Sequence, residues 1–120
     1  MSIILPILIV LHVAPAVFWA GSTFVLARLG AGGASLGLRN PQMGAGRLAV
    51  VAGIILMAIG HRGNGVLIAG AVGALAAMGV QEAMAWRALP NDPARYALGQ
   101  RISAGLLLFA VICMVTWRYF

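Results

Sequence analysis

Apolar positions gather into four long runs, Ile3 to Leu29, Pro41 to Arg62, Val66 to Trp86 and Pro93 to Arg118, separated by short polar or turn-forming clusters. Each run matches the roughly 20 mainly apolar residues that a helix needs to cross about 30 Å of hydrocarbon. The pattern therefore predicts an all-α integral membrane protein of four spanning helices in one domain, residues 1–120. The break Gly30 to Pro41 is rich in glycine and reads as a flexible loop, and Gly63 to Gly65 permits a tight reversal. Before the fourth run, Asp92 is placed to cap a helix that opens on Pro93, where a missing N–H costs nothing. Short connections make neighbouring helices antiparallel, so the expected architecture is an up-down-up-down bundle.

Composition agrees. Of 120 residues, 62% are hydrophobic and 8% charged, and mean hydropathy is +1.02, against about 25% charged residues in ordinary soluble domains. The formal charge of +6 comes from arginines against Glu82 and Asp92, with no lysine. The arginines flank apolar runs singly or in pairs and build no basic face, which argues against nucleic acid and for the lipid bilayer as the main partner. The first run lacks a positive leader and continues to Leu26, so it reads as a retained helix rather than a cleaved signal. Cys113, the single cysteine, has no partner for an intrachain disulfide.

Arginine bias sets an expected orientation. Arg28, Arg39 and Arg47 surround the first loop and Arg87, Arg95 and Arg101 the third, leaving Arg62 and Arg118 on the other side. Both termini are then on the outer side of the membrane, N-out and C-out. Trp86 with Tyr96, and Trp117 with Tyr119, fit aromatic belts at the two edges. Leu48 to Gly60 supplies only 13 uncharged residues, about 20 Å at 1.5 Å each. Arg47 and the His61–Arg62 pair must therefore sit at the hydrocarbon edges. Glu82 is the one acid inside a run, and its expected partners in a structural ion pair are Arg47 and Arg101; a proton-relay role is the alternative.

Small residues are patterned as well. Gly46, Gly53 and Gly60 recur every seven residues, and Ala69, Gly73 and Ala77 form a small-residue stripe. Such faces let helices pack closely, or clear space for a flat cofactor.

His12 falls about 14 Å into the first helix, near the bilayer midplane, with Pro15, Trp19 and Ser22 on the same face. A polar ring at that depth should face the bundle. It either bonds a neighbouring helix or serves as an axial ligand to haem b, for which imidazole is the usual donor and bundle interiors the usual place. His61 is the natural second ligand, yet its depth differs by about 10 to 15 Å, whereas two axial nitrogens lie about 4 Å apart. A haem held by His12 alone, or completed by Met57 or Met78, avoids the mismatch. Trp19 is the further cofactor-binding candidate beside His12, and Arg62 would face the propionates. Copper is the lesser metal reading, with His12, His61, Met57 and Cys113 as donors, although no closely spaced Met or Cys pair occurs.

The segment LHVAPAVFWAGSTFVLAR resembles the first helix of small bacterial four-helix membrane proteins related to the copper-resistance D (CopD-like) domain and to HemJ-like protoporphyrinogen oxidases. The resemblance rests on Leu11, His12, Trp19 and Gly21. QRISAGLLLFAVICMVTWRYF is similar to their last helix. In the oxidase-like branch the histidine is associated with haem, a role the resemblance gives to His12. That branch also uses a lysine in a later helix, and this chain has none. Motifs for phosphate-cradling loops, serine hydrolases and zinc proteases are absent, and paired carboxylates are impossible with one acid in the spans. Three function classes follow: a haem-binding protein for electron transfer or haem handling, a cofactor-free accessory subunit of a homo-oligomer or larger membrane complex, and a copper-related permease.

Overall fold

The computed structural model describes residues 3–61, 64–87 and 91–119. It is helical throughout, with no strand among the described residues. Helix α1 runs Ile4–Leu29, α2 Arg39–Leu56, α3 Gly65–Val80 and α4 Pro93–Thr116. Met57–His61 and Gln81–Trp86 prolong α2 and α3 as wider π-helical turns. All four helices are long and apolar enough to cross a membrane, with mean window hydropathies of 1.6 to 2.1. The molecule measures 46 × 27 × 19 Å, and its long axis exceeds the thickness of a hydrocarbon core.

Start and stop signals account for the helix ends. Asn64 caps α3 by accepting from the Val66 and Leu67 backbone N–H groups at 3.0 and 3.1 Å. Asp92 caps α4 by accepting from the Arg95 N–H at 3.0 Å, with Pro93 in the first turn. At the end of α1, Gly30 takes φ +62°, a region that side chains disfavour. Its lack of a side chain also admits Arg101, whose Nη2 would lie 3.0 Å from a β-carbon there. The segment expected to be a flexible loop is instead a 3₁₀ stretch, Gly30–Leu36. Gly33 turns it back so closely onto α1 that a β-carbon would meet Leu26 at 2.8 Å.

Packing goes mainly by pairs: α1 lies against α2 and α3 against α4, α1 also meets α4, and the α2–α3 seam is the sparsest of these four. Helix α1 buries Trp19, Ser22, Thr23 and Leu26, all in its second half. Large apolar side chains such as Val10, Val17, Val72 and Val115 point outward, as expected where lipid is the solvent. The α3–α4 seam is closed by missing side chains. β-Carbons on Gly70 and Gly73 would lie 2.8 Å from Cys113 Cβ and 2.9 Å from Phe109, and one on Gly99 would lie 2.9 Å from the Ala85 backbone. Ser103 donates to the Ala77 carbonyl at 3.0 Å in the same seam. Gly70 and Gly73 are buried there while Ala69 is only half-buried, so the tight face is turned from the expected Ala69–Gly73–Ala77 stripe.

The aromatic belt needs correction. Trp86 and Tyr96 are 1% and 2% exposed and belong to the core, packed around Ala85. Their polar atoms find partners inside the protein, so they need no water at the membrane edge.

Candidate functional site

His12 sits in the α1–α2 seam, half-buried, with Nδ1 2.7 Å from the Ala49 carbonyl oxygen. A carbonyl only accepts, so Nδ1 carries the proton and donates. In the neutral ring Nε2 then keeps its lone pair. The bond is possible because of Gly53. A helical side chain covers the turn N-terminal to its own Cα, so a residue four positions after Ala49 normally shields that carbonyl. A β-carbon on Gly53 would lie 2.8 Å from His12 Cε1 and 3.0 Å from Nδ1. Nε2 has no hydrogen-bond partner among the described residues, and none of their buried side-chain N or O atoms lacks one. It follows that Nε2 reaches the surface of the seam.

One heptad along, the same device recurs with a different outcome. Trp19 lies over Gly46, whose β-carbon would be 3.0 Å from the indole, but its Nε1 donates to Gln81 Oε1 at 2.6 Å. Trp19 is thus 2% exposed and belongs to a polar core instead of a wall beside His12. The third glycine of the set, Gly60, has nothing within 4 Å.

That polar core joins all four helices and went unnoticed in the sequence. Gln42 of α2 and Gln100 of α4 exchange amide hydrogen bonds at 3.3 and 3.1 Å. Gln81 donates to Gln100 Oε1 at 3.1 Å and to Thr23 Oγ1 at 2.8 Å. Gln42 also donates to Thr23 at 3.0 Å and accepts from Trp86 Nε1 at 2.9 Å. Thr23 Oγ1–H donates in turn to the Trp19 carbonyl at 2.7 Å. The three glutamines and Thr23 have no measurable exposure. A buried amide without partners costs about 1–3 kcal/mol, so a closed set of this kind holds its members together. The available signal was simple: every glutamine in the chain lies in an apolar run, where an amide must find another helix.

The π-helical turn makes the core possible. Five residues of ordinary helix would set Gln81 and Trp86 about 140° apart. The wider i→i+5 turn brings them toward one face, and both are buried against Gln42 or its partners.

The other expected site residues are dispersed. Glu82 pairs with Arg47 at 3.5 Å, with side chains 42% and 54% exposed, so the pair contributes about 0–1 kcal/mol. Arg101 does not join them. Its Nε donates to the Ala27 carbonyl at 3.2 Å, satisfying an acceptor left over at the end of α1. Met57 follows Gly53 by four residues, while Cys113 packs on Gly70 in the opposite seam, so the structure keeps Cys113 apart from His12. Arg62 and the His61 side chain lie outside the described residues. No three His, Cys, Asp or Glu side chains among the described residues come together to hold a metal ion. Comparisons with protein families, curated proteins and solved structures give no significant match.

Proposed function

We propose that the chain is a bacterial inner-membrane protein that carries a b-type haem on His12 and serves electron transfer or haem handling. One observation carries the reading: His12 donates Nδ1–H to the Ala49 carbonyl at 2.7 Å and leaves Nε2 without a partner among the described residues. Ligating histidines characteristically donate their second N–H to a carbonyl or carboxylate, which fixes the tautomer and the ring plane. The residues present fit a group held through a single imidazole nitrogen. His12 would hold the iron, Ala49 would orient the ring, and Gly53 would keep the approach open. The group would supply one-electron chemistry when bound. The bundle is up-down-up-down with both termini outside. The reversed order of contacts, His12 with Gly53 and Trp19 with Gly46, supports the first point, and the arginines around the first and third loops support the second.

The test is a visible spectrum of the protein in mild detergent, before and after haem addition. A Soret band is expected, lost in His12→Ala and retained in His61→Ala. A band that survives His12→Ala overturns the assignment. The accessory-subunit reading is favoured by a different observation, the saturated amide core, which commits the polar groups at that end of the bundle to holding helices together. A preparation that stays colourless after haem addition selects it.

A further inference from the structure

At the end of the bundle that carries most of the arginines, a cavity of about 370 Å³ opens between the last turn of α3 and the first turn of α4. It is lined by Ala83, Arg87, Asn91, Asp92 and Arg95. Among the described residues, neither the Arg87 nor the Arg95 guanidinium has a hydrogen-bond or ion-pair partner. Asp92, also in the lining, has one oxygen engaged by the Arg95 backbone N–H, so the cavity wall carries two guanidiniums against one partly committed carboxylate. Arg87 directly follows the span Gly65–Trp86, and Arg95 stands in the first turn of the span Pro93–Thr116. Both are therefore at headgroup depth, where phosphates lie.

A second feature continues from the cavity into the span. Ala83, Gly79, Ala76 and Val72 follow one another at four- and three-residue steps on one face of α3, and all four are exposed. A β-carbon on Gly79 would meet nothing within 4 Å. The face is thus a shallow lane of small side chains that starts at the floor of the cavity, where Ala83 stands.

We propose that this cradle binds an anionic phospholipid, its phosphodiester held between Arg87 and Arg95 and one acyl chain laid along Ala83, Gly79 and Ala76. Guanidinium forks match phosphate oxygens two at a time. A free phosphate would use the arginines but leave the lane empty, whereas a lipid occupies both. The proposal is independent of the histidine site.

Native mass spectrometry of the detergent-purified protein tests it, with short-chain phosphatidylglycerol and phosphatidylcholine as probes. Retention of phosphatidylglycerol should exceed that of phosphatidylcholine by about tenfold, given the attraction of two surface arginines. The preference should vanish in Arg87→Gln/Arg95→Gln and persist in the charge-matched control Arg28→Gln/Arg39→Gln. Gly79→Leu, which fills the lane without touching the core, should weaken retention while leaving the thermal unfolding midpoint unchanged. Equal retention of the two lipids overturns the proposal, as does a preference that survives the double substitution. So does full displacement of the lipid by inorganic phosphate together with an unaffected Gly79→Leu, which would mark a site for a free anion.

Discussion

Gly53 matters for what it leaves uncovered. By withholding a side chain it exposes a helix carbonyl in the α1–α2 seam and gives the His12 ring a fixed partner. Gly53→Ala should push the ring off Ala49, because the new methyl would start 2.8 Å from Cε1. The expected result is a lower unfolding midpoint and, with haem added, a weaker or displaced Soret band. Gly60→Ala, with open space around it, should change neither. In the amide core, Gln100→Leu deprives Gln81 and Gln42 of an acceptor at once. It should cost about 1–3 kcal/mol for each group left unpaired, read from detergent unfolding curves. How far residues could be read in advance depended on what they bond. His12 and the heptad of glycines announced themselves by type and spacing. Arg101 did not, since nothing in a sequence tells a guanidinium to prefer the Ala27 carbonyl over the Glu82 carboxylate.

At the scale of elements, the four spans were legible because length and hydropathy suffice to define them. The π-helical end of α3 was not. A π-turn trades regular hydrogen bonding for a change of facing, and the reward lies on other helices, at Gln42 and Gln100. This makes a distinctive deletion tolerable. Removing Ala83, an exposed residue inside Gln81–Trp86, leaves Gln81 and Trp86 four positions apart, which an ordinary α-turn places on one face. Deleting Ala76 from the regular part of α3 instead rotates everything beyond it by about 100°. The first variant should unfold close to wild type and keep its near-ultraviolet tryptophan signal; the second should lose both. The 3₁₀ stretch after α1 was missed for a similar reason, because its glycines permit a loop and only the contact between Gly33 and Leu26 closes it down.

For the whole molecule, the decisive question is which end faces which compartment. In a Cys113→Ala background, cysteines at Ser35 and at Tyr119, the latter 81% exposed, should respond oppositely to an impermeant thiol reagent on intact spheroplasts. Position 119 is expected to label and position 35 to require permeabilisation; labelling at 35 alone would invert the assignment. The amide core has its own consequence at this scale. Glutamine, threonine and tryptophan neither gain nor lose protons in the range where proteins work, so the clasp joining the four helices carries no charge that acidity could alter. Whatever proton gradient the membrane carries, the joint between the helices keeps its grip on both sides of neutrality.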